Sequence, residues 1–334
     1  MKVPEIQIDH AFLEEIRQLL RQARQGVLHQ VNTIMVKTYF EIGRRIVEQE
    51  QNGQDQAVYG SYLLETLSVT LSKEFGKGFS KRNLELIRKF YLTYRIAKSP
   101  ISQSLSWTHY LNLMRIEDES ERSFYELETA SSNWSVREMS RQIDSALYQR
   151  LVLSSDKEKV KLLSQKGHLL ERASDAIKDP YILEFVGLPV HSAYSETELE
   201  QALIDKLEHF LLELGKGFTF VGRQVRFTFD EENFRVDLVF YNRLLRCFVL
   251  IDLKIGKLKH QDLGQMQMYV NYYDRFVKTE DENLTIGIIL CKDKKDTLVE
   301  ITLPKDNSQI FASRYQTVLP SKEELKQLLD KRTD

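Results

Sequence analysis

Asp237, Asp252 and Lys254 are the residues whose types and spacing best suit chemistry. Asp237 interrupts the apolar run VDLVF, while Asp252 and Lys254 lie two apart in IDLK, at the end of a second run. Residues two apart on a strand share a face, so two neighbouring strand ends bring two carboxylates and one amine together. Hard oxygen donors of this kind suit Mg2+ or Mn2+, whereas zinc favours His and Cys, which the cluster lacks. Such a metal lowers the pKa of an attacking water and offsets the charge that grows as a phosphodiester is cleaved. Lys254 adds positive charge and a donor. An Asp at a strand end is ordinarily a solvated turn residue, and DxK often arises by chance. Here, however, Val236, Leu238, Val239 and Phe240 flank one acid, and Val249, Leu250, Ile251 and Leu253 the other. Burying ionised carboxylates is costly unless a metal or partner compensates.

The elements that must position these groups follow from periodicity. Beyond Asp179, SETELEQALIDKLEHFLLEL predicts one amphipathic helix. Strands are expected over GFTFVGRQVRFTFD, ENFRVDLVFYN, LLRCFVLIDLK, NLTIGIILCKD and LVEITLP, with a helix over HQDLGQMQMYVNYYDRFV after the third. That order describes an α/β layer domain with a mixed sheet. The first 153 residues read as all-helical, with breaks at Gly53, at Gly76 and Gly78, and at Pro100. Ser80 is an expected N-cap, and from Lys81 onward Leu84, Ile87, Tyr91 and Tyr94 form one stripe while Lys81, Arg88 and Arg95 form another. Eight Lys or Arg against Glu74 and Glu85 between 73 and 98, Arg82 among them, give a local excess of six cations. Helices are also expected from 106 to 116 and 119 to 130. A further one over NWSVREMSRQIDSALYQRL is capped by Asn133 or Ser135, with Arg137 and Arg141 one turn apart. Short helices ending in a basic one suit a helix-turn-helix-like DNA-binding arrangement, though basic helical faces are as often plain solvated surface. Residues 154–178 are polar and charged and are expected as a linker or connecting helix, leaving 179–334 as the second domain.

No apolar run is long enough for a membrane span, and MKVPEIQIDH lacks a secretory pattern, so cytoplasm is the expected location. Cys247 and Cys291 lie in strand-like runs without metal-ligand spacing and are expected as buried thiols. The net charge of −2 excludes a uniformly basic coat but not local patches.

The residues also resemble a known superfamily. Glu200 on a helix, Asp237 on a strand, Asp252-Leu253-Lys254 on the next, and Gln265 with Tyr269 on the following helix resemble the PD-(D/E)XK nucleases. More narrowly, FVGRQVRF, VDLVFYNRLLRCFVLIDLKIGK and GQMQMYVNYY resemble the YhcG-like family, as do IGRRI, LSWTHYLNLMRI, NWSVREMSRQI and IKDPYILEFVGL. The resemblance implies a restriction-endonuclease-like α/β domain behind a helical amino-terminal domain, and cleavage of DNA in repair, recombination or defence. A DNA-binding adaptor with a vestigial nuclease fold and a nuclease acting on RNA are the alternative readings. It further implies that Asp237, Asp252 and the Leu253 carbonyl hold the metal, that Lys254 positions water, that Glu200 is an outer ligand, and that Gln265 orients Lys254 or the water. Arg223, Arg243, Arg246 and Lys257 would contact phosphate, and Tyr269 would contact phosphate or pack, with packing favoured. Val236 replaces the proline of the motif's name. Asp252 stands where the family more often carries Glu, shortening reach by about 1.5 Å, which bears on metal affinity. Double-strand cleavage commonly needs two active sites, so a homodimer is compatible with this reading.

Overall fold

The computed structural model describes residues 10–51, 56–95, 105–154, 157–188, 194–229 and 231–319. The expected breaks at Gly53 and Pro100, and Lys98 of the basic segment, lie outside these residues. The chain divides into two units, 1–139 and 140–334.

The first unit is helical: α1 (His10–Gln51), α2 (Gln56–Phe75), α3 (Lys81–Tyr94), α4 (Trp107–Leu113) and α5 (Glu119–Ser132). Ser80 caps α3 by accepting from the Asn83 N–H. Leu84, Ile87, Phe90 and Tyr94 form its buried stripe, so Phe90 takes the place expected for Tyr91. A Cβ on Gly43 would meet the Ile87 carbonyl at 2.5 Å, so only glycine lets α1 and α3 cross this closely. Asn133, in a left-handed conformation, ends α5, and Ser135 with Glu138 forms the capping box of α6 (Val136–Asp144).

The basic stripe of α3 is partly neutralised. Lys81 lies 2.8 Å from Glu65 and Arg88 2.5 Å from Glu50, whereas Arg82 and Arg95 are exposed. Of the four α3 cations expected at nucleic acid, Lys81 and Arg88 are thus ion-paired within their own unit, and Arg82 and Arg95 are exposed.

The second unit begins earlier than the polar composition of 154–178 suggests. The single helix expected after Asn133 breaks at Ala146, where φ is 51°, and resumes as α7 (Leu147–Ser154). Arg150 on α7 is fully buried, with Nη1 2.5 Å from Glu213 Oε1 and 3.0 Å from the Pro180 carbonyl. A buried guanidinium needs such partners, and they tie α7 to the second unit. After α8 (Lys157–Lys166), Ala176, Ile177 and Lys178 are buried too, so the last residues of the expected linker belong to the core. Arg141 donates to both oxygens of Glu184 at 2.8 and 3.2 Å and is committed within this unit, which corrects its expected role at nucleic acid. Arg137 remains exposed.

The sheet runs β1 (Tyr181–Ile182), β6 (Ile310–Gln316), β5 (Ile286–Asp293), β4 (Cys247–Lys257), β3 (Glu232–Asn242), β2 (Phe218–Phe229). The β2, β3 and β4 neighbours are antiparallel and the remainder parallel, the mixed sheet expected. The helix expected over 195–214 is two, α9 (Glu196–Asp205) and α10 (Leu207–Leu214), which cover one face. On the other lies α11 (His260–Tyr272), followed by a wide turn at Tyr273–Val277. Central β5 buries six consecutive residues, as a parallel strand covered on both faces should. LVEITLP, expected as a strand, lies in α12 (Asp296–Thr302) and the residues after it, with Leu298 and Val299 packed against the α11 core. The sixth strand is instead formed by IFASRYQ. Cys247 and Cys291 are buried free thiols. Among the described residues no helix is long and apolar enough to cross a membrane.

Candidate active site

β3 and β4 pair in register from Asn242–Cys247 to Leu238–Ile251 and then part. The next residue on each strand is an acid, Asp237 and Asp252. In the gap the Leu253 N–H donates to Asp237 Oδ2 at 2.8 Å. The N–H and C=O of one strand residue lean toward the same neighbour, so the Leu253 carbonyl also faces the Asp237 side. Asp252 is only 2 % exposed, and Lys254 Nζ lies 2.7 Å from its Oδ2. Burial, then the Asp237 charge, push the Asp252 carboxyl up to about 7 against the pull of Lys254. Burial works against the Lys254 ammonium, but the charge and hydrogen bond of Asp252 outweigh it and raise its pKa.

α9 delivers the third acid. Its capping box, Ser195 with Glu198, fixes the first turn, and Glu200 follows on the buried face. Gln224 Nε2 donates to Glu200 Oε2 and, at 3.1 Å, to Asp237 Oδ1, bridging the two carboxylates. Burial raises the Glu200 pKa, the Gln224 bond opposes this, and the Asp237 charge adds to it. Gln224 holds φ at 49°, a left-handed conformation that costs a non-glycine residue about 1–2 kcal/mol. Side-chain alternation reverses across it: Arg223 reaches Gln201 of α9 at 2.8 Å, whereas Val225 and Phe227 pack toward α11. The backbone switch points Gln224 into the site. FVGRQVRF signals a bulge one step earlier, since glycine inside a strand pattern marks one and the register shifts between Phe220 and Gly222, but it does not signal the switch at Gln224, across which the register is unbroken.

Gln265 Nε2 donates to the Tyr269 hydroxyl, whereas Lys254, which it was expected to orient, pairs with Asp252. The Tyr269 ring is buried against Phe227, 5.6 Å between centroids, so the alternative of a phosphate contact is corrected to packing. Its hydroxyl still feels Asp252, Asp237 and Lys254, and its pKa is raised chiefly by burial. Arg243 and Arg246 are not at the site. They occupy the β3–β4 turn, which begins six residues beyond Asp237, roughly 20 Å along the strand, and Arg246 pairs with Asp281 at 2.9 Å. Lys257 lies toward the correct end, exposed, three residues past Lys254. Clustering in sequence failed here because a hairpin sends residues before and after it to opposite ends. Glu196, 3.9 Å from Lys254 and an acceptor for the Ile255 N–H, is a neighbour that the sequence did not single out.

Among the described residues no three acidic, histidine or cysteine side chains converge into a ready-made metal cage. The donors available are all hard oxygens: Asp237, the buried Asp252 and the Leu253 carbonyl. They fit Mg2+ or Mn2+ in type, and an interior carboxylate crowded by a second acid is the kind of group that a cation stabilises.

Comparison with known proteins agrees with this arrangement. Residues 174–330 match the family model described as the YhcG PDDEXK nuclease domain, and residues 15–150 match the DUF1016 N-terminal domain. A protein of Escherichia coli (strain K12) named "Putative nuclease YhcG" is 39 % identical over 342 residues, covering 92 % of this chain and 90 % of that one. A solved repair endonuclease from Pyrococcus abyssi aligns with a TM-score of 0.26 and 15 % identity, over 38 % of this chain and only 50 % of its own length, too slight a likeness to bear on function. With its acids and lysine on the forked strands of the second unit, the chain belongs to the YhcG family and carries that family's PD-(D/E)XK nuclease domain.

Proposed function

We propose that the second unit hydrolyses phosphodiester bonds in DNA with a divalent cation, Mg2+ or Mn2+, and that the first unit helps to hold the substrate. The observation that carries this reading is the fork itself, where Asp237, Asp252, Lys254 and the Leu253 backbone meet between two strands that have just stopped pairing. Asp237 and Asp252, with the Leu253 carbonyl, would hold the cation, and Glu200 would act from the outer side. When bound, the cation lowers the pKa of a water and offsets charge on the scissile phosphate.

The chain's own groups have separate tasks. Leu253 N–H and Gln224 fix the two oxygens of Asp237, so this carboxylate is aimed before any ligand arrives. Lys254 keeps a proton and a charge close to the position of an attacking water, and hydrolysis then adds that water to phosphorus as the P–O ester bond breaks. Exposed Arg223 and Lys257 are the phosphate contacts proposed in this unit, and Arg82, Arg95 and Arg137 those in the other. The setting that the family resemblance favours is repair, recombination or defence against foreign DNA.

The test is incubation of purified protein with single-stranded, duplex, forked and four-way DNA, and with RNA of matching sequence, in Mg2+, Mn2+ or EDTA. Cation-dependent cleavage of DNA supports the reading. Cleavage of RNA alone would reassign the substrate, and no cleavage of any substrate would favour an adaptor role.

A further inference from the structure

We propose that a groove between the β2–β3 arm and α11 binds one unstacked nucleobase of the substrate. The inference rests on the nuclease reading for the presence of nucleic acid, and it adds a preference for unpaired strands.

Beyond Gln224, β2 and β3 continue as a two-stranded arm, with Phe227 opposite Phe234 and Phe229 opposite Glu232. The arm's inner face and the outward face of α11 enclose a cavity of about 340 Å³, within the range of small-ligand sites. Phe227 and Tyr272 stack on one another at its base, 4.0 Å between centroids and 21° between planes, and Phe227 is itself buried, so the aromatic surface open to a ligand is that of the rim. Phe229 and Phe276 stand at the rim, 51 % and 63 % exposed. Large aromatic side chains left in water beside a cavity cost solvation energy that a stacked base would recover, and every base has a π-face to offer.

The polar lining argues for a base over a purely apolar partner. Gln267 and Asn271 lie one helical turn apart on α11 and both line the groove. Neither carboxamide is engaged in a hydrogen bond among the described residues. A carboxamide presents a donor and an acceptor side by side, the pattern that pairs with base edges. Arg275 also lines the groove, forms no ion pair among the described residues, and suits either the base face or the adjoining phosphate. No carboxylate lines this cavity, so its charge is complementary to a polyanion. The position fits as well: Phe227 lies three residues past Gln224, about 10 Å along the strand, and packs edge-on against Tyr269, whose hydroxyl end senses the two acids. A strand cleaved at the fork could place a base in the groove a few nucleotides away.

The experiment uses the full chain in EDTA, so that binding is read without cleavage, with oligonucleotides carrying 2-aminopurine as single-stranded DNA, the same sequence in duplex, and single-stranded RNA. The single strands should be bound with quenched fluorescence, and the duplex with less. Gln267→Ala with Asn271→Ala, and separately Phe229→Ala, should weaken single-strand binding about tenfold and abolish quenching. All of these side chains are exposed, so the fold should persist, and calorimetric Mn2+ binding should be unchanged. DNA and RNA arms reveal which sugar the substrate carries. Absent quenching, equal affinity for single strand and duplex, or variants that bind as the parent does would overturn the inference. So would a change confined to the sedimentation of Phe229→Ala, because the groove would then be a protein contact. Quenching without cleavage in Mn2+ would remove the nuclease reading and leave the groove, and cleavage without quenching would do the reverse.

Discussion

Gln224 Nε2 lies 3.1 Å from Asp237 Oδ1 while the same nitrogen donates to Glu200, so one strained residue spans two acids of the candidate site. The strain and the bridge are separable. Gln224→Ala loses the bridge and keeps the left-handed backbone penalty, whereas Gln224→Gly loses the bridge and relieves it. Urea unfolding should find the Gly variant more stable than the Ala variant by about 1 kcal/mol. Cleavage and Mn2+ affinity should fall alike in both. Wild-type activity in either variant would mean that the bridge has no part in positioning Asp237.

Asp237→Ala, Asp252→Ala and Lys254→Ala should each lower cleavage by about a hundredfold or more. Circular dichroism should show the fold intact. Mn2+ binding by calorimetry should be lost in the two Asp variants and retained in Lys254→Ala. Full activity in any one of the three would displace that residue from the site.

The elevated Asp252 pKa predicts two opposite pH trends. An ordinary unfolded Asp titrates near 3.9, whereas in the folded chain Asp252 titrates at about 7. Between these values the folded state holds the extra proton, so stability in EDTA should fall as pH rises across this window. Asp252→Asn should remove this part of the slope. Mn2+ requires the ionised carboxylate, so affinity should instead strengthen as pH rises through about 7. Urea melts and titration calorimetry at pH 5, 6, 7 and 8 would read both, and parallel slopes in parent and Asn variant would refute the assignment.

Arg150 sets the boundary of an autonomous fragment. Burial alone would raise the pKa of Glu213, but the charges of Arg150 and Lys178 outweigh it and hold the carboxyl ionised. A fragment starting at 179 removes Arg150 and leaves Glu213 in the core without its main partner, a loss of about 3–5 kcal/mol. Residues 140–334 should fold alone with a cooperative melt, and 179–334 should melt far lower or aggregate. Equal stability of the two fragments would show that α7 is dispensable.

In the first unit, charge reversal at Arg82 and Arg95 should weaken DNA binding and reduce its salt dependence by about one counterion per contact. Reversal at Arg88 should chiefly destabilise the unit, because it repels the largely buried Glu50. Filter binding across a salt series and thermal melts separate the two effects. Unchanged binding in the Arg82 and Arg95 double variant would make this face ordinary solvated surface.

The two acids and the lysine were legible because apolar runs interrupted by charge carry their own cost, and a two-residue spacing fixes a shared face. Ser80 and Ser135 were legible as caps for an equally local reason. LVEITLP was misleading, since a seven-residue apolar pattern fits strand and helix alike and only packing against α11 decides. Arg141 looked like a surface cation because its partner, Glu184, lies 43 residues away. Gln224 carried no signal of its own, since its role depends on a backbone dihedral that no periodicity reveals.

The fork after Leu238 and Ile251 has a consequence for self-association. Unpaired backbone at the rim of a sheet is a template on which another chain can add a strand, and proteins guard such rims with charge. The outer strand β2 is guarded in this way by Arg223 and Arg226. The fork instead opens inside the sheet, between β3 and β4, where an invading strand has no free flank from which to enter. Polar main-chain groups are thereby made available to a ligand in the middle of the domain without creating a second sticky rim.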